Sequence, residues 1–190
     1  MKKIFKRISL VLMLGAMGLT TTSCSEDIIN TIVQIIGGMF NQGETYNYNG
    51  QSTAVAMVFV GDVEKQNNTD ETQFNNTSVS LVAKEGQSGN TADITLPDFT
   101  WNSIQVKGLK LYGLNLTTTN NVSTLSIGQE TTIDGTFTYG GKTYTACFAE
   151  IKGAEITQSQ MALAVMAQFD DGNDNTMQIA FSFAGNIVSQ

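Results

Sequence analysis

From Tyr46 to the end of the chain, apolar and polar residues alternate with a period of two, the signature of half-buried β-strands. In "STAVAMVFVGD", Val55, Met57 and Phe59 fall on one side, and Ala54, Ala56, Val58 and Val60 on the other. "SVSLVA" offers Val79, Leu81 and Ala83, and "ADITLPDF" offers Ile94 and Leu96. "TIDGTFTY" sets Ile133, Phe137 and Tyr139 against Asp134, Thr136 and Thr138. "MALAVMAQF" and "TMQIAFSFAG" repeat the pattern with Met161, Leu163, Val165 and Phe169, then Met177, Ile179, Phe181 and Phe183. The larger side chain of each pair is expected to face a core.

Turn chemistry separates these runs. Gly140-Gly141 in "TYGGKTY" predicts a two-residue hairpin. "EGQSGNT" and "DDGNDN" have loop composition, and the polar stretch 65–76, "KQNNTDETQFNN", is expected to be a mobile loop. Eight to ten short antiparallel strands result, mostly neighbours in sequence. The fold class is all-β: a closed or nearly closed barrel, with a β-sandwich as the alternative.

Before Tyr46 the pattern changes. In "DIINTIVQIIGGMF", Ile28, Ile29, Ile32, Ile35, Ile36, Met39 and Phe40 share one helical face, with Asp27 placed to cap it and Gly37-Gly38 to end it. A short N-terminal helix is expected, with a strand as the rival because isoleucine and valine are β-branched.

Further upstream, Lys2, Lys3, Lys6 and Arg7 precede the apolar run Ile8–Leu19. A membrane-spanning helix needs about 20 apolar residues, so this run is too short to span and has the anatomy of a signal peptide. Thr21, Thr22 and Ser23 are small, and Cys24 follows with Leu19 upstream, a loose lipoprotein cleavage box. Residues 1–23 are expected to be removed and Cys24 acylated. Residues 24–45 would then be anchor, linker and helix, and residues 46–190 the barrel domain. Two or three acyl chains at about 0.8 kcal/mol per buried CH₂ anchor a protein stably. "SED" after the cysteine resembles the acidic export tag of surface lipoproteins in Bacteroides-type bacteria. That implies an outer-membrane location facing outward, with the periplasmic face as the alternative.

Charge and chemistry narrow the function. The chain has no histidine, and Arg7 is its only arginine. Without the leader, six lysines face 17 acidic residues. A nucleic-acid surface needs a basic stripe, so that class is excluded. Zinc sites and Ser-His-Asp machinery lack their histidine. If Cys24 carries lipid, Cys147 is left single, and its alternating surroundings predict a small buried hydrophobe. Carboxylate pairs such as Glu150 with Glu155 or Asp93 with Asp98 are the remaining acid–base candidates, and solvated acids are the plainer reading. Oxygen-rich "DDGNDN" lacks the calcium-loop spacing and reads as a turn. No cofactor or metal is expected, nor catalysis.

"YNYNG", "ADITLPDF" leading into "IQVKGLKLYGLNL", and the closing "TMQIAFSFAGN" together resemble the calycin-like lipoproteins of Bacteroides-type bacteria, over Tyr46 to Asn186. The resemblance implies an eight-stranded lipocalin-like barrel and brings no catalytic residues. The long 65–76 stretch departs from the compact pattern. Tyr46, Tyr48, Trp101 and Tyr112 are the candidate ligand-binding residues, because amphipathic aromatics suit a barrel mouth or a sugar face. The leading expectation is a membrane-anchored binding or accessory protein for a small apolar or glycan ligand. The alternative is a structural or adhesive surface lipoprotein with a filled barrel.

Overall fold

The computed structural model describes residues 40–60, 63–86, 89–101, 104–172 and 175–189, with only the backbone described for 58–60, 63–71, 86, 89, 101 and 189. The expected helix and Cys24 lie outside the described residues.

The described chain is all β. Its strands are β1 (Thr45–Val60), β2 (Val63–Gly86), β3 (Gly89–Thr95), β4 (Phe99–Trp101) and β5 (Ile104–Thr119), followed by β6 (Val122–Ser126), β7 (Thr132–Tyr139), β8 (Lys142–Ile156), β9 (Gln160–Asp170) and β10 (Asn175–Ser189). The antiparallel ladder runs β1–β2–β3–β5–β7–β8–β9–β10, and β10 returns to β1. Eight strands therefore close a barrel, which rules out the sandwich. β4 and β6 are additions along β5. The β7–β8 hairpin forms at Gly140-Gly141, both at positive φ as the sequence requires.

The expected loop at 65–76 is instead part of β2. Its residues are poor strand formers by composition, but β1 supplies an antiparallel partner on both sides of a register shift between Ala54 and Ala56, with Ala56 opposite Asn68 and Thr53 opposite Gln73. Tertiary pairing overrides local preference there. Asn76 adopts φ 56° at the point where the register shifts, so the extra residue is absorbed as a bulge.

The expected orientation of β1 is corrected as well. Ser52, Ala54 and Ala56 face the interior, while on the other side of the strand Val55 is half-buried and Met57 is buried outside the interior cluster. The reason lies on β10, where Phe183, Phe181 and Ile179 stand directly opposite Ser52, Ala54 and Ala56. Directly paired residues share one face of a sheet. The large side chains of β10 occupy the space, so β1 contributes small ones.

β5 switches parity twice. Ile104 and Val106 face inward, then Leu109 and Leu111, then Leu114. Each switch follows a glycine in the left-handed region, Gly108 at φ 62° and Gly113 at φ 64°. A bulge adds one residue and returns the strand to its register with the faces exchanged. Each bulge N–H is held by a carboxylate: Gly108 N donates to Asp98 Oδ1 at 2.8 Å, and Gly113 N to Asp93 Oδ1 at 3.0 Å.

Alanine at either glycine should cost stability, because a side chain in this region costs about 1–2 kcal/mol. A Cβ on Gly108 meets open space, whereas one on Gly113 would lie 2.9 Å from the Glu130 carbonyl oxygen. Urea unfolding should therefore show Gly113→Ala losing clearly more stability than Gly108→Ala. Equal losses would mean that the backbone contact at Gly113 is relieved without cost.

Candidate functional site

The four aromatic candidates do not converge. Tyr46 and Tyr48 point into the barrel at the end where β1 begins, and both are fully buried. Tyr48 donates its hydroxyl hydrogen to the Thr157 carbonyl oxygen at 3.0 Å, tying β1 to the β8–β9 turn. Tyr46 Oη accepts from the Asn41 N–H at 2.7 Å and donates to Glu44 Oε2 at 3.1 Å. Phe40 packs edge-on against Tyr46 with ring centroids 4.8 Å apart, and Gly43 N donates to the Ala83 carbonyl oxygen at 2.8 Å. Residues 40–44 thus form a strap across this end of the barrel. Neither tyrosine offers a face to solvent. Tyr112 is half-buried on β5, paired with Thr132. Trp101 belongs by its backbone to β4, beside Ile104, and its side chain is outside the described residues.

The interior is occupied by protein. Phe99 on β4 meets Phe181 on β10 across the barrel with centroids 5.1 Å apart, and Phe74 on β2 meets Phe99 at the same 5.1 Å. A second group joins Phe137 to Phe169 at 5.5 Å and to Tyr144 at 6.5 Å. Around them buried side chains from all eight barrel strands form one continuous cluster, to which β7 contributes Phe137. Offset and tilted ring pairs at these separations add to the area they bury. Two buried polar atoms have no hydrogen-bond partner among the described residues, Ser52 Oγ and Gln178 Oε1.

The acid–base candidates serve the framework. Asp93 and Asp98 each hold a glycine bulge, and Asp93 also pairs with Lys84. Glu150 pairs with Lys152 at 2.7 Å on the outer surface, and Glu155 is exposed. In the β9–β10 turn Asp170 accepts from Gly172 N, and Asp171 Oδ2 accepts from Asn175 Nδ2 at 2.7 Å. These are turn bonds of the kind that aspartate and asparagine make. Among the described residues no group of three or more cysteine, aspartate or glutamate side chains is placed to hold a metal ion.

Cys147 departs from expectation. It is exposed, not buried. The β8 register shifts between Ala146 and Phe148, so Cys147 is the extra residue of a bulge and its side chain is turned out. Its thiol donates to the Gln168 carbonyl oxygen at 3.4 Å. Partial burial, followed by the nearby Asp170 charge, pushes the thiol pKa up. That disfavours the thiolate, which is the reactive form.

The buried tyrosine bonds, the strap and the bulge-holding aspartates were not readable from sequence. Each depends on contacts between distant segments, such as Tyr48 with Thr157, and alternation reports only which side of a strand is apolar. No family model, curated protein or solved structure matches this chain.

Burial, and then the neighbouring Tyr46, raises the Tyr48 phenol pKa far above its ordinary value. The native state therefore holds the proton that the unfolded chain loses near pH 10. The stabilisation is complete below about pH 10 and fades as pH rises beyond it. Tyr48→Phe should flatten this alkaline decline while costing about 0.5–1.5 kcal/mol at neutral pH for the lost hydrogen bond. Urea unfolding at pH 7 and at pH 10–11 would check both. An unchanged alkaline decline in the variant would assign it to other groups.

Proposed function

We propose that this protein is a lipid-anchored cell-envelope protein whose barrel is a filled, non-catalytic scaffold. The observation that carries this reading is the Phe99–Phe181 contact across the barrel at 5.1 Å, continued by Phe74. An eight-stranded barrel is just wide enough to be filled by side chains or to hold one small ligand. Here the aromatic rings stand where such a ligand would sit. The closed antiparallel ladder agrees with a calycin-like barrel, and that likeness supports a fold rather than a function. The working surface is then the outside of the barrel and its turns, as in a structural or adhesive surface protein.

The leader, the small residues before Cys24 and the "SED" that follows support acylation and an outer-membrane location facing outward. Cys24→Ala should leave the protein without acyl mass and release it from the envelope fraction. Retention at unchanged mass would count against the anchor.

The filled-barrel reading predicts no stabilisation by fatty acids, sterols or neutral oligosaccharides in a thermal-shift panel on the domain. A ligand that entered the barrel would stabilise it by about 2.7 kcal/mol at a hundredfold excess over Kd. Saturable stabilisation that is lost when Phe99 is replaced by tryptophan would restore the ligand-carrier reading.

A further inference from the structure

We propose that the strap at 40–44 is a lid, latched by the Tyr46 hydroxyl, that opens the Tyr46 end of the barrel while the strands stay paired. The inference stands apart from the filled-scaffold reading and from the lipid anchor.

The strap is a preformed turn. Glu44 N donates to the Asn41 carbonyl oxygen at 3.3 Å, and Gly43 sits at φ 80° in the third position of that turn. Glycine suits this position because it needs a positive φ. Asn41 Nδ2 donates to Glu44 Oε2 at 2.9 Å and braces the same turn through its side chains. These bonds lie within the strap, so they survive when it lifts off the barrel.

A different set holds the turn down. Asn41 N donates to Tyr46 Oη at 2.7 Å, Tyr46 Oη donates to Glu44 Oε2 at 3.1 Å, and Gly43 N donates to the Ala83 carbonyl oxygen at 2.8 Å. The first two pass through one phenol oxygen, which makes it the latch. The apolar hold is Phe40, 6% exposed and set edge-on against the Tyr46 ring. Residues 41–45 are all exposed. A segment held by one buried ring and a few bonds at the surface belongs to the low end of local stability.

β1 does not depend on the strap. It pairs with β2 from Thr45 and with β10 from Asn47, and Tyr48 keeps its own bond to Thr157. Lifting the strap therefore breaks the three bonds to the barrel and the Phe40 contact, and leaves both β1 ladders whole. The change falls on Tyr46. Its hydroxyl loses both partners, and its ring, fully buried in the closed state, meets water where Phe40 had been. Closed and open states thus differ in one apolar seat at the barrel end, filled by the chain's own Phe40 or bared.

The test is native-state hydrogen exchange, followed by NMR on the full chain at several low urea concentrations. The Asn41 and Gly43 amides should be protected, yet exchange many-fold faster than the ladder amides of β1 and β10 and with little response to urea. Tyr46→Phe should speed exchange at Gly43 several-fold, although its own acceptor on Ala83 is untouched, and leave the ladder amides unchanged. Phe40→Ala, which alters no strand, should do the same and serves if Tyr46→Phe does not fold. Exchange of Asn41 and Gly43 at the ladder rate with the ladder's urea dependence overturns separate opening. An absence of protection at both amides overturns the closed state, and a Gly43 rate unmoved by either substitution overturns the latch.

Discussion

Ala54 stands opposite Phe181 on the β1–β10 ladder, and that pair expresses the constraint under which the whole interior is built. A closed barrel of eight strands encloses a fixed and narrow lumen. Phenylalanines at 181 and 183 on β10, with Phe99 reaching in from β4, take up much of one half of it. β1 answers with Ser52, Ala54 and Ala56, because native packing density tolerates neither overlap nor void. The second half is filled in the same manner by Phe137, Phe169 and Tyr144. Deleting one of these rings would leave a cavity that neighbouring strands, already closed on each other, could collapse only in part.

Closure also dictates what the wall must do. A strand that bends around a narrow lumen cannot keep strict alternation over its full length, and β5 solves this with glycine bulges at 108 and 113. The bulges would leave backbone donors without ladder partners. Asp98 and Asp93 supply the acceptors, so two acids that read as chemistry are parts of the wall. The bulge at Cys147 on β8 is the same device without a glycine, and its by-product is an exposed thiol.

The strands, the Gly140-Gly141 hairpin and the β9–β10 turn were legible because each is set by local periodicity or local turn chemistry. β7 is the clearest case, with Phe137 and Tyr139 inward as the alternation predicts. Three features were not legible. Residues 65–76 read as a loop because their strand state comes from β1, a partner that local propensity does not register. Ala54 and Ala56 read as outward because size was judged within β1, whereas β10 decides it. Tyr46 and Tyr48 read as mouth residues, but their bonds to Asn41, Glu44 and Thr157 place them in the seal at one end of the barrel.

The ladder closes between the first strand and the last. β1 has two neighbours, β2 and β10, and the residues it meets on β10 are the most distant in the chain, Asn47 with Ser189 and Tyr48 with Ile187. Loop closure over that separation must be met before the contact returns any stability, and topologies dominated by such contacts fold slowly. Until β10 is available, β1 has an open edge and the Phe99 ring lacks Phe181. The barrel therefore cannot complete itself before β10 pairs with β1, and until that closure its aromatic interior stays uncovered.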